Sequence, residues 1–174
     1  MMFRFFGSDI FRGSVYGQGH PLNIARVWPV IDICLALGWL ATDEYQQIAP
    51  ASPKELQLFH TPDYVAALLE AEKQQKLSNA QMQRHRIGLD NNPIFPHIYS
   101  RPATAAAASM RGAKALLSGQ AQIVFNPSGG THHGMPDRAN GFCFVNDPAL
   151  AILSLLEGGS RRVAYIDIDA HHAD

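Results

Sequence analysis

Two short apolar runs, residues 122–126 (QIVFN) and 162–169 (RVAYIDID), flank one helical stretch at 146–156 that ends at Gly158-Gly159. Strand, crossover helix and strand form the βαβ unit of a parallel sheet with helices on its faces. Such strands need neighbours and cover, so a final strand ending in bare carboxylates implies that more sheet follows. Upstream, Ile24, Val27, Ile31 and Leu35 recur at helical spacing over 22–37, with Gly38 as the stop and Pro29 implying a kink or a later start. Ser52-Pro53 opens a short helix, and Thr61-Pro62 opens one to about residue 73 that buries Tyr64, Val65, Leu68 and Leu69. The polar stretch 77–86 is undetermined, and 87–98, with Pro93, Pro96 and Asn91-Asn92, reads as loop. A helix over 100–118, closed by Gly119, aligns Ala105, Ala108, Gly112 and Ala115 on one face suited to close packing on a sheet.

With 174 residues, 47% hydrophobic and 17% charged, the chain has a one-domain length and ample material for a core. Lys and Arg number 14 against 15 Asp and Glu, a balance that argues against direct nucleic-acid binding. No apolar run reaches the roughly 18 residues of a membrane span, and the first residues lack a signal-peptide core. The expected location is cytoplasmic, with no membrane partner. Cys34 and Cys143 make neither a disulfide framework nor a zinc ribbon.

The chemistry gathers in two clusters. If 162–169 is a strand, Asp167, Asp169 and His171 share one face at its carboxyl end, where open α/β sheets place ligands. Clustered carboxylates repel unless a cation or a proton compensates. Oxygen and nitrogen donors suit Zn, Fe(II), Co(II) or Mn(II); the plainer alternative is a set of solvated acids after a strand. The second cluster, Ser128-Gly129-Gly130-Thr131-His132-His133-Gly134, follows the other strand and so reaches the same sheet edge. Two imidazoles there can serve one pocket, with the Asp cluster orienting them for acid–base work; alternatively one is buried and the other solvated. Phe142 and Phe144 in 140–147 can wall a channel or fill the core, and Cys143 has no adjacent base that would make it a nucleophile.

GGTHHG (129–134), GFCFVND (141–147) and YIDIDAHHAD (165–174), with YGQGHPLNIAR (16–26) and weaker agreement at FHTPDYV (59–65) and GLDNNPIF (88–95), resemble the histone deacetylase superfamily, above all its bacterial acetoin-utilisation-type members. The resemblance implies a three-layer α-β-α fold with a parallel sheet, of the arginase/deacetylase kind. It implies that residues 1–174 are the N-terminal part of one such domain, roughly half of it. Asp169 and His171 match two of three metal ligands, for Zn2+ or Fe2+. His132 and His133 match the tandem catalytic imidazoles, and Asp167 and Asp174 their carboxylate partners. The backbone at Asp167, Asp169 and His171 matches a monovalent-cation site, so K+ is a second implied ion. Phe142 matches a wall of the acyl-lysine tunnel and Gly141 its neighbour. Arg26 matches an arginine at an acetate-handling cavity, and Asp90 a rim carboxylate that holds the substrate backbone. The family reads HHGD where this chain has His171-His172-Ala173-Asp174, and Ala is strained there if the backbone needs positive φ.

The implied reaction is metal-assisted hydrolysis of an N-acetyl amide on an acetylated lysine protein or peptide, or on a small acetylated amine, releasing acetate and free amine. The third metal ligand and the oxyanion-stabilising Tyr of the family find no match within the 174 residues, so the piece alone is expected to be inactive. Two rivals stay open: an acetylpolyamine or other small-amide hydrolase of the same fold, and a non-catalytic module that binds acyl ligands. An arginase-type ureohydrolase wants more carboxylates than the clusters offer.

Overall fold

The middle strand of the sheet comes from a segment the apolar patterning does not flag. β1 (Phe3–Gly7) pairs in parallel with β2 (Tyr45–Gln47) on one side and β3 (Ile123–Phe125) on the other, giving the order β2-β1-β3. The computed structural model describes residues 2–13, 16, 20 and 25–172. The expectations at Leu22, Ile24, Ala173 and Asp174 lie outside the described residues.

Neighbouring side chains of β1 go to opposite faces. Phe5 packs with Ile31 and Leu40 beneath α1 (Val27–Ala36), and Phe6 lies beside Gly112 of α5 (Ser100–Leu117). Helices thus cover both faces, and the three-layer α-β-α arrangement read from the sequence is present. The larger core lies on the α5 side. Tyr64 and Leu68 of α3 (Pro62–Gln74) meet Ile87, Ile98, Ala106 and Phe144 there, with Leu150 from α6 (Asp147–Glu157).

Local chemistry sets the helix starts. Ser52 with Glu55 forms a capping box at α2 (Pro53–Leu56), and Ser78 with Gln81 forms another at α4 (Asn79–His85), so most of the polar stretch 77–86 is helical. The Glu72 carboxylate, from the last turn of α3, accepts the main-chain N–H groups of Tyr99 and Ser100 at 2.8 Å each and so caps α5 from outside.

The small-residue face of α5 behaves as expected. A Cβ built on Gly112 would stand 2.6 Å from Val124 Cγ1. Gly112→Val is therefore expected to push α5 off β3 and lower the unfolding free energy by about 2–3 kcal/mol, as overpacking does. Urea titration reads this directly, and an unshifted midpoint would refute the close packing.

Of the two readings of Pro29, the later start holds: α1 begins at Val27, so Pro29 occupies its first turn, where the missing N–H has no helical partner to lose. Three expectations are corrected. Leu69 is exposed rather than buried. β3 is not a fully buried strand: Ile123 and Phe125 share the face of Phe5, where α1 packs over β1 and β2, and each stays 45% exposed. Residues 162–169 join no ladder among the described residues. No described layer covers that run, which leaves Ile166 82% and Ile168 95% exposed; side-chain contacts hold it instead.

Candidate active site

The loop after β3 is tied down from within. Asn126 donates to the Ala105 carbonyl and accepts from Ser128, which fixes the exit from the strand. The Asp147 carboxylate, 3% exposed at the start of α6, accepts from Thr131 N at 2.8 Å, Thr131 Oγ1 at 2.6 Å and Ser109 Oγ at 2.6 Å. Such convergence of donors lets a carboxylate remain buried. Asn146 caps α6 by accepting Ala149 N, and its Nδ2 donates to the carbonyls of His132 and Gly134 at 3.1 and 2.9 Å. Gly129 is required here, because a Cβ would fall 2.4 Å from the Asp147 carboxylate.

That scaffold presents His132 and His133 side by side, ring centroids 4.1 Å apart. His132 Nδ1 lies 2.7 Å from Asp167 Oδ2, and its Nε2 lies 3.9 Å from Asp169 Oδ1. The neutral ring donates from Nδ1 to the carboxylate and keeps the Nε2 lone pair free to take a proton. Tyr165 donates its hydroxyl to the same Asp167 oxygen at 2.6 Å, and Asp169 N donates to the other at 2.9 Å. These two bonds, then His132, hold the Asp167 carboxyl down at about 2. Asp169 Oδ1 accepts from both the main-chain N and the Nδ1 of His171, at 2.8 and 2.7 Å, which lowers its pKa as well. His133 faces His171 at 5.9 Å and His172 at 6.2 Å between ring centroids.

The two clusters therefore meet at the carboxyl edge of the sheet. One expectation narrows. Asp167, Asp169 and His171 do not converge as three equivalent donors, because both oxygens of Asp167 are already engaged. Among the described residues no group of three or more His, Cys, Asp or Glu side chains surrounds a metal position. Asp169 and His171 carry oxygen and nitrogen donors of the kind a divalent ion takes, but Asp169 Oδ1 and His171 Nδ1 are bonded to each other here, and they are two residues rather than a full set.

Gly141 and Phe142 form the centre of a tight turn closed by reciprocal main-chain bonds between Asn140 and Cys143, with φ of +51° and +66°. Positive φ at both central residues is what a type I′ turn requires, and for Phe it costs about 1–2 kcal/mol. Gly141 also abuts His133, whose ring would be 2.6 Å from an added Cβ. Phe142 N donates to the buried Asn92 at 3.0 Å, and its ring meets His20 edge-on at 5.0 Å. Asp90 sits two residues before Asn92 in the turn 89–92, exposed and paired with Arg86. Arg26, at the start of α1, lines a cavity of about 190 Å³ with Tyr16, Arg101, Thr131, Phe142 and Phe144. Burial is the first cause that raises the Cys143 thiol to about 11, in keeping with a cysteine that is not a nucleophile.

Reading the sequence did not single out His60, His85, Asn92, Asp147 or Tyr165. All but His85 lie inside quoted motifs, but nothing in spacing marks a lone buried His as a clamp.

Among the described residues no helix is long and apolar enough to cross a membrane. The histone deacetylase domain profile matches residues 20–174. The chain is 40% identical over 162 residues to histone deacetylase 3 of Oryza sativa subsp. japonica, covering 91% of this chain and 31% of that protein. It is 35% identical over 172 residues to the acetoin utilization protein AcuC of Bacillus subtilis (strain 168), covering 98% of this chain and 44% of that one. The solved structure of an HDAC homolog from Aquifex aeolicus superposes with a TM-score of 0.92 at 34% identity, over 99% of this chain and 46% of its own. Another, of an HDAC homolog complexed with SAHA, gives the same values. The chain thus spans between about a third and a half of these relatives and carries the deacetylase-type α/β fold over that length. On its motifs, its fold and these matches together, the chain belongs to the histone deacetylase family.

Proposed function

We propose that the protein carrying this chain hydrolyses N-acetyl amides, with the acetylated lysine side chain of a protein or peptide as its substrate class. The observation that carries this reading is the 2.7 Å contact between His132 Nδ1 and Asp167, with the His133 ring tilted against it at 4.1 Å between centroids. His132 is oriented by Asp167 to accept a proton from the attacking water at Nε2. His133, next to it, is placed to deliver a proton to the departing amine. Asp174 is its proposed carboxylate partner. Asp169 and His171 are the proposed ligands for a divalent ion, Zn2+ or Fe2+, and the backbone carbonyls at 167, 169 and 171 for K+. The chemistry supplied there by a bound divalent ion is polarisation of the amide carbonyl and acidification of a water. Phe142, next to Gly141 in the turn that abuts His133, walls the acyl-lysine channel; Asp90 holds the substrate backbone at the rim; Arg26 offers a cation to the acetate product.

The 174 residues alone supply two divalent-ion donors and no matched oxyanion donor, so no turnover is expected from them by themselves. The protein carrying them is expected to release acetate from an acetyl-lysine peptide, and His133→Ala to reduce that release at least about 10²-fold. Preference for acetylpolyamines over the peptide would select the small-amide reading. Saturable peptide binding without acetate release would defeat the hydrolytic one.

A further inference from the structure

We propose that His60 is a positioning residue for the imidazole pair, acting through Asn146. The inference rests on the reading of His132 and His133 as the proton-transfer pair. His60 is 2% exposed at the turn between α2 and α3. Its Nδ1 lies 3.0 Å from the Met135 carbonyl, and its Nε2 takes the main-chain N–H of Asn146 at 3.0 Å. A carbonyl only accepts and an amide N–H only donates, so these partners specify a neutral ring with its proton on Nδ1. The ring therefore fastens together the two ends of the loop 135–146. Thr61 N adds a bond to the Pro136 carbonyl at 2.9 Å, so the 60–61 backbone is stitched to the same loop.

The far end of this linkage is the catalytic loop. Asn146 has its amide orientation fixed, since Oδ1 accepts Ala149 N while Nδ2 donates to the His132 and Gly134 carbonyls. The main chain of Asn146 is held by His60 and its side chain holds the backbone on both sides of His133. Gly134 lets the two loop segments approach, because a Cβ there would be 3.0 Å from Asn146 N. The order of contacts is His60, Asn146, then the carbonyls that set where the two imidazoles stand. Burial keeps the His60 pKa down at about 4, in agreement with the tautomer the partners demand.

The test uses the imidazole N–H resonance of His132, shifted downfield by its bond to Asp167 and identified by its loss in Asp167→Asn. His60→Gln can place an oxygen where Nε2 stands and accept Asn146 N–H; His60→Asn reaches only the Nδ1 position. Asn146→Ser keeps a helix cap but cannot span to the two carbonyls. With circular dichroism showing retained fold, the resonance is expected to persist in His60→Gln and to broaden or vanish in His60→Asn and Asn146→Ser. In the protein carrying the chain, Asn146→Ser should lower kcat by up to about 10²-fold with KM little changed, as small misplacements do. Unchanged amide shifts over 131–134 in folded His60→Asn and Asn146→Ser would overturn the inference. So would loss of the resonance in His60→Gln. A wild type without the resonance would instead strike down the His132–Asp167 contact and with it the function proposed above. Should His60→Asn not fold, Asn146→Ser decides alone.

Discussion

Asp167→Asn is expected to lower deacetylation by the protein carrying this chain about 10⁴-fold without unfolding it, the scale seen when a buried Asp–His pair is altered this way. Three donors converge on the Asp167 carboxylate: His132 Nδ1 and the Tyr165 hydroxyl on one oxygen, and Asp169 N on the other. Asparagine offers only one oxygen, and its amide N–H group then faces a donor. If that donor is His132, the ring must move its proton to Nε2. The nitrogen required as the base then carries hydrogen, and the active tautomer is lost while shape and volume are kept. Steady-state kinetics on an acetyl-lysine peptide, with circular dichroism as the fold control, measures this. A loss below tenfold would show that Asp167 does not set the state of His132.

The second large effect concerns stability in acid. His60 has a folded pKa near 4 against an ordinary value of 6.5, with burial as the first cause. Tyr64 packs against its ring at 5.6 Å and in turn touches the buried His85. Above pH 6.5 the ring is neutral in both folded and unfolded chains, and its contribution is fully present. Between 6.5 and 4 only the unfolded chain takes up the proton, so stability falls with pH and the loss levels off below 4. The total is about 3 kcal/mol, since each tenfold change in proton affinity is worth about 1.4 kcal/mol. Carboxylates that titrate at lower pH add their own losses, so His60 is isolated as the difference between wild type and His60→Gln. Urea unfolding at a series of pH values from 7 to 4 should show wild type losing about 3 kcal/mol relative to the variant. Parallel curves would mean that His60 is not held neutral.

Much of the fold was legible because helices announce themselves. Ser52-Pro53, Thr61-Pro62 and the alanine face of α5 carry caps and periodicity, and the corresponding helices are present. The strands were harder to read. β1 packs on both of its faces, so FRFFG has no alternation to recognise, and β2 is three residues, two of them Gln. The run 162–169 was legible in composition but not in pairing, because pairing depends on a partner that composition does not contain. At the site, paired histidines and alternating carboxylates announced a meeting point, and His132, Asp167, Asp169 and His171 do meet there. What composition did not yield was the underlying clamp. His60 and Asn146 lie 86 positions apart in the chain, and their contact exists only once α3 has packed against the loop.

The uncovered flank of β3 governs how the polypeptide behaves at high concentration. Ile123 and Phe125 form an exposed hydrocarbon strip on β3, an edge strand of the sheet among the described residues, able to recruit extended segments from other molecules, and Ile166 and Ile168 expose further hydrocarbon on the later run. Arg161 and Arg162 stand at the head of the later run and give neighbouring copies like charges to repel one another. That protection is electrostatic and short-ranged, so raising the ionic strength screens it while leaving the adhesive strip intact.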